Sequence, residues 1–490
     1  MNEKGTSAST TPQGVRHRLL ILADMGNEPD EEQQMVHMIM DSNEFDLEGL
    51  IAVTGKYLQP AMADPFKQVT HPELFDPIID AYEAVLDNLK LHADGWHDPE
   101  ALRAVVKAGQ PEYGMGGVGE DKASPGSERI VEALIGDDPR PLWVAVNAGS
   151  NTLAQALWDI RDRYDPEEVK RLVARLRVFE NGAQDNAGAW ACHAFPEIHW
   201  IRSNYQTYCY GGPSRDGMVD NTGDPDNLGP YTWAPYAYSP LGQHQWALAH
   251  IKAGHGPLGR AWPLRQFSQG RLAFLEGGGT IPWLGLVNKG LFSIDHPHWG
   301  GWSGRFSRDK VKNYWSKHTS VNTDEREVAP FYVYREASDR WVDPADGKVY
   351  DGIFAPIFRW RRAFFNDFVC RMDWCVEPYA EANHHPVAAF NGDTRGTIVR
   401  MRVPAGKVLP LDASASTDPD GDELDVRWWV YREAGTYEGE VRIADPHWAV
   451  TWVTIPEDAA GAQIHVILEV RDRNPIAPLY DYRRIVIDVR

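Results

Sequence analysis

The sequence predicts an α/β protein: a mostly parallel open sheet with flanking helices, followed by a C-terminal all-β sandwich. Three observations predict it. Residues 18–54 read strand, helix, strand, and such a βαβ unit favours parallel strands joined by a right-handed crossover. The strand–helix alternation then continues along most of the chain, with no internal repeat of fixed period. Near residue 384 it stops. Short alternating segments between turn residues replace it, as in an antiparallel sandwich of about 100 residues. The length, 490 residues, is more than one core usually serves.

The elements follow in order. Residues 1–17 are polar and small and read as a disordered tail; they contain no apolar h-region, so no signal peptide is visible and the compartment stays open. "RLLILAD", residues 18–24, is a buried strand. In "DEEQQMVHMIMDSN", Met35, Val36, Ile39 and Met40 fall at helical spacing. "FDLEGLIAVTG" returns to strand, so Asp24 ends the first strand at the carboxyl edge of the sheet, where open α/β sheets bind ligands. "IIDAYEAVLDNLK" is a helix, "PLWVAVNAGS" a strand, and "NTLAQALWDIRDRY" a helix that Ser150 or Asn151 can cap. "LRVFENG" and "EIHWIRS" are further strands. The expected domains are residues 18–385 and 386–490.

The net charge of −21 argues against nucleic acid and anionic membranes as partners, since both need clustered Lys and Arg. No apolar run approaches the ~20 residues of a membrane span. Neutral ligands and cations suit this chain better. The 19 Trp and 19 Tyr belong mostly to the core, yet so many also suit a protein that stacks on sugar rings. Cys192, Cys209, Cys370 and Cys375 read as ordinary thiols, not as a disulfide framework.

The chemistry concentrates in "ADMGNEPDEEQQ", where Asp24, Glu28, Asp30 and Glu31 crowd a strand end. Crowded carboxylates repel unless a cation or a shared proton intervenes. Asp24 and Asp30 can converge across a tight turn at Gly26 on a Ca²⁺, which takes six to eight oxygen ligands. The alternative is that the acids complement a helix dipole, which accounts for Asp30 and Glu31 but poorly for Asp24. "GMGGVG", residues 114–119, formally fits a nucleotide fingerprint, but no buried strand precedes it; it reads as a surface loop. Asp418, Asp420 and Asp422 around Gly421 suit a tight turn or a Ca²⁺ loop.

These residues carry a resemblance. "ADMGNEPDEEQQMV…NEFDLEGLIAVT" resembles the opening of nucleoside hydrolases. With "YGMGGVGEDKASPGSERIVEAL", "GSNTLAQAL", "EGGGTIPWLGLVNKGL", "HPHWGGWSGRF" and "RWRRAFFNDFVCRMDWCVEPYAEANHHP", it is similar to a family that joins a nucleoside hydrolase-like domain to an immunoglobulin-like sandwich. One member of that family is described as cellulose-binding. The resemblance implies a Ca²⁺ site with Asp24 as metal ligand and general base, Asp30 as second ligand with Glu28 or Glu31 next, and the Thr152 carbonyl as a further ligand. It also implies attack of a metal-bound water on an anomeric carbon. Where related sequences read E-G-D-T, this chain reads "LEGGGT": the aspartate is a glycine, and Glu276 remains as ligand or sugar contact.

Further candidates for the sugar are Glu28, Asn181 and Asp185 as hydrogen-bonding groups, His296 as a leaving-group acid, Trp190, Trp299 and Trp302 as stacking surfaces, and Arg305 as a polar contact. Arg359, Arg362, Asp367, Arg371 and Asp373 are expected to form buried ion pairs instead. The expected activity is glycoside hydrolysis. The alternatives are a non-catalytic carbohydrate-binding protein and a nucleoside hydrolase. The sequence leaves the oligomeric state open.

Overall fold

The structure is a computed structural model describing residues 15–204, 206, 247–266, 272–273, 279–287, 289–291, 295–311, 331–345 and 347–490. Most of the expected tail lies outside the described residues, but the order begins before residue 18. Arg16 bonds to the Gly95 carbonyl at 2.7 Å, and His17 already opens the first strand.

The strands of the main sheet are β1 (His17–Ala23), β2 (Phe45–Ala52), β3 (Val106–Ala108), β4 (Leu142–Val146), β5 (Leu176–Asn181) and β6 (His199–Ser203). A two-residue ladder, β7 (Arg265–Gln266) with β8 (Leu272–Ala273), stands apart; β9 (Phe306–Val311) and β10 (Phe331–Glu336) complete the sheet. The order is β3-β2-β1-β4-β5-β6-β10-β9. Only β9 runs antiparallel to its neighbour; every other pair is parallel, as expected.

The sheet is buried on both faces because its strands alternate between two cores. Leu19, Ile21 and Ala23 of β1 face one core with Met35, Val36 and Ile39 of helix α1 (Asp30–Met40). Leu20 and Leu22 face the other, with Leu153, Ala156 and Leu157 of the helix Asn151–Arg163. The chain leaves β1 toward β2 and β3, then crosses back to β4. The winding thus reverses between β1 and β4, which opens a crevice beyond their carboxyl ends.

The sandwich has two sheets. One holds β13 (Val399–Val403), β15 (Leu424–Val430), β18 (Gln463–Asp472) and β19 (Tyr480–Val489); the other holds β14 (Val408–Asp412), β16 (Arg442–Ile443) and β17 (Val450–Thr454). One pair departs from the antiparallel expectation: β13 runs parallel to β19. No hairpin links those two strands, so nothing forces them to oppose. Alternation along β18 sends Ile464, Val466 and Leu468 into the sandwich core and Ile467 into the α/β core.

Arg484 of β19 joins the two parts. It donates to the carbonyls of Leu291 (2.7 Å), Trp299 (3.1 Å) and Gly300 (2.6 Å). Buried ion pairs form at Arg359, Asp367 and Arg371; Asp373, half-buried, meets a histidine instead. Arg371 pairs with Asp41 and Asp367 at 2.9 Å each, Asp373 with His255 at 2.9 Å, and Arg359 with Asp339 at 2.9 Å. Cys192, Cys370 and Cys375 are buried free thiols; Cys209 lies outside the described residues. No helix among the described residues is long and apolar enough to cross a membrane.

Candidate functional site

The end of β1 is a strained, tightly held corner. Asn27 N–H donates to the Asp24 carbonyl at 3.0 Å, and Gly26 takes φ +87°. A β-carbon at Gly26 would meet Leu74 and Phe66 at 3.0 Å, so both conformation and space require glycine. The corner turns the Asp24 side chain inward, where it is 2% exposed. Asn27 Nδ2 donates to Asp24 Oδ2 at 3.0 Å, and Lys67 Nζ donates to Asn27 Oδ1 at 3.0 Å. Burial, then the Asp30 charge, push the Asp24 carboxyl up to about 8, with Glu28 adding to the effect.

Glu31, the second residue of α1, is 3% exposed. Its Oε2 accepts from Asn147 Nδ2 at 3.1 Å and from Gln34 Nε2 at 3.3 Å. Burial, then the Asp30 and Asp24 charges, hold it well above the usual carboxylate range. Asn147 follows β4, so the Glu31–Asn147 bond spans the crevice where the winding reverses. Asn147 is 2% exposed, and its Oδ1 has no hydrogen-bond partner among the described residues. Sequence reasoning missed this residue. Its signal was present: an amide ends the apolar strand "PLWVAVN" as Asp24 ends "RLLILAD".

A β-carbon at Gly279 would fall 2.4 Å from Asn147 Nδ2. The Asn147 amide thus fills the space into which a side chain at 279 would project. Glu276 lies outside the described residues.

The expected metal set is reproduced only in part. Thr152 is the second residue of the helix Asn151–Arg163, so its carbonyl points along the helix axis, away from the sheet edge. Its Oγ1 instead accepts from Gln110 N–H at 3.0 Å. Among the described residues, no group of three or more His, Cys, Asp or Glu forms a metal cage. Asp24 and Asp30, near enough for their charges to repel, would be the carboxylates to hold a hard cation, with Asn147 Oδ1 as a further oxygen. An acceptor without a donor, beside acids that repel one another, equally suits hydroxyl donors.

The loop after β5 borders the same edge. Gln184 Oε1 accepts from Lys56 N–H at 3.0 Å. A β-carbon at Gly55 would lie 2.5 Å from that oxygen and 3.0 Å from Asp24 Oδ2, so both groups converge there. Asn181 ends β5, 7% exposed. The loop expected at residues 114–119 packs against this one: Met115 N–H donates to Asn186 Oδ1 at 3.0 Å.

Other expected sugar contacts are structural. Asp185 is fully buried, and its oxygens accept from Asn151 N–H (3.1 Å) and Ala187 N–H (2.9 Å), tying two helix starts together. Burial raises its carboxyl to about 7. Trp190 packs on an outer helix face, 6.0 Å from the Trp158 ring and 5.2 Å from the Arg161 guanidinium. Trp299 and Trp302 are each 2% exposed. Trp299 stacks on His296 at 3.9 Å and meets His465 of the sandwich at 4.9 Å, so the domain junction uses both of its faces. His296 is lowered to about 4, chiefly by burial, and is a poor proton donor near neutrality. Arg305 is bound to Asp339 at 2.6 Å and to the Ser338 carbonyl at 2.6 Å. Asp418 accepts from Asp420 and Asp422 N–H at 2.9 and 3.1 Å, a turn as the spacing allowed.

A parallel sheet with its winding reversed beside an acid-lined corner, followed by a β-sandwich, is the architecture of a nucleoside hydrolase-like protein with an appended domain. The comparisons make this specific. The family described as "Cellulose-binding Sde182, nucleoside hydrolase-like domain" matches residues 18–306, and "Cellulose-binding protein Sde0182, C-terminal domain" matches residues 408–489. The chain belongs to this Sde182 family. A solved structure from Saccharophagus degradans, described as a nucleoside hydrolase-related hypothetical protein associated with carbohydrate metabolism, is similar over 97% of this chain and 100% of its own. The two share 33% identity, with a TM-score of 0.77. Two others are far more distant. The effector protein XOO4466 has 12% identity, TM-score 0.29, and covers 66% of this chain and 88% of its own. The type III effector XopQ has 10% identity, TM-score 0.33, and covers 75% and 94%. No curated protein matches the sequence.

Proposed function

We propose that this chain is a carbohydrate-binding protein whose crevice between β1 and β4 takes a sugar. The observation that carries this reading is Asn147: a buried acceptor with no donor among the described residues, tied to Glu31 and filling the space beside Gly279. Alternating carboxylate and amide groups at Asp24, Asn27, Glu31, Asn147 and Gln184 match the alternating donors and acceptors of sugar hydroxyls. The family description and the carbohydrate association of the Saccharophagus relative support the same ligand class.

A second reading, hydrolysis of a glycosidic bond, is favoured by Asp24. Its buried carboxyl, raised to about 8, is tuned to exchange a proton near neutrality. Asp24, Asp30 and Asn147 would hold a Ca²⁺, and the ion would supply a more acidic bound water. In that reading Asp24 receives the proton at its carboxylate, Asn27 fixes its orientation, and Glu31 and Asn147 hold hydroxyls.

Calorimetric titration of the full chain with cello-oligosaccharides and nucleosides, with product analysis and with Asp24→Asn alongside, tests both readings. Saturable oligosaccharide binding without new reducing ends is the expected result. New reducing ends that Asp24→Asn abolishes would establish the second reading. Release of free base from nucleosides, with no glycan bound, would sink both.

A further inference from the structure

The α/β part and the four-stranded sheet of the sandwich cover each other, which leaves the outer face of the three-stranded sheet uncovered. Along β17, Thr451 and Val453 point into the sandwich, so Val450, Trp452 and Thr454 point out. Val450 is 54% and Trp452 49% exposed; Trp448, just before the strand, is 68% exposed. They are the tryptophans that stand exposed among the described residues, whereas Trp200, Trp262, Trp283, Trp360 and Trp428 are wholly buried. On the neighbouring strand, Pro410 lies opposite Trp452, and exposed Val408 opposite Thr454.

We propose that this face is a stacking platform for a neutral β-linked polysaccharide, with Trp448 and Trp452 as its two rings. The proposal deepens the carbohydrate reading and rests on it. Three residues separate the rings, four steps along the chain and so at most about 14 Å, a span that several linked pyranose units cover. The apolar C–H faces of such units lie flat on indole, and their hydroxyls point sideways into water. Pro410 beside Trp452 keeps the face apolar there, while Asp412 opposite Val450, between the rings, and Arg442 opposite Thr454 offer polar groups for hydroxyls. The backbone under both rings is fixed in advance. Trp428 Nε1 donates to the Trp448 carbonyl at 3.0 Å, and Ala444 N–H to the Trp452 carbonyl at 3.0 Å. A preorganised platform loses little freedom on binding. The face lies within residues 408–489, the segment that matches the C-terminal domain of a cellulose-binding protein.

Depletion isotherms on microcrystalline cellulose test this with the full chain, comparing wild type, the control Ile476→Ala and the double variant Trp448→Ala/Trp452→Ala. Both tryptophans are exposed, so circular dichroism and melting should match wild type. The expected result is at least about a tenfold weaker isotherm for the double variant, and near wild-type binding for Ile476→Ala, an exposed apolar side chain off this face. Equal binding by wild type and double variant overturns the platform and leaves the carbohydrate reading standing. Failure of wild type on cellulose, xylan and soluble oligosaccharides alike overturns both. A double variant that loses only self-association in sedimentation, with cellulose binding intact, shows the face to be a contact between copies and overturns the platform.

Discussion

Asn147 donates to Glu31 across the mouth of the crevice at 3.1 Å, and its amide fills the space above Gly279. Asn147→Ala therefore leaves Glu31 with Gln34 as its remaining amide donor and removes an acceptor from the sugar site. The expected cost is about 1–3 kcal/mol in urea denaturation, with loss of oligosaccharide binding in the crevice. Unchanged binding by this variant would remove Asn147 from the site.

Asp24 makes stability depend on pH. Its folded value, about 8, lies above its ordinary value of 3.8. The protonated folded form is thus favoured, a contribution complete below pH 3.8 and lost as pH rises toward 8. Asn mimics the protonated acid at every pH. In chelator-containing buffer, Asp24→Asn should melt with wild type at pH 4 and above it at pH 8.5, by about 2–4 °C. A lower melting temperature for the variant at pH 8.5 would contradict the burial argument.

Gly300 is held at φ +73°, and a β-carbon there would lie 2.2 Å from the Tyr431 hydroxyl. Gly300→Ala should cost at least about 2 kcal/mol in denaturation, through backbone strain and displacement of Tyr431. A shift below 0.5 kcal/mol would show that the junction yields easily.

Asp339 receives Arg305 at 2.6 Å, Arg359 at 2.9 Å and the Tyr431 hydroxyl at 2.7 Å, all buried. Asp339→Ala strands two guanidinium groups and should cost about 3–5 kcal/mol. Tyr431→Phe removes one hydrogen bond and should cost about 1 kcal/mol. Equal costs, measured by thermal and chemical unfolding, would mean that the ion pairs do not set the junction's stability.

The parallel sheet was legible because its signals are local. Apolar runs such as "RLLILA" and helical spacing in α1 sit in adjacent segments. Asp24 was legible as a polar group at the end of a buried strand. The misplacement of Trp299 and Arg305 has a different origin. Both face partners from far along the chain, His465 and Asp339, and no spacing rule reports such distances. Trp190 failed for a related reason: its helix has an outer face, and periodicity cannot tell which neighbour covers it. The Thr152 carbonyl was taken from the family motif, which does not report what the helix start at Asn151 decides: which carbonyls the helix itself uses.

The grip of Arg484 on the backbone at Leu291, Trp299 and Gly300 gives the molecule one lever arm instead of a hinge. A sandwich fastened in this way cannot sweep like a tethered anchor. Whatever settles on its far sheet also fixes the angle at which the Asp24 crevice meets that surface. Reach and orientation would then be inherited from the junction, where Arg484 acts together with the Asp339–Tyr431 contact, far from either binding face.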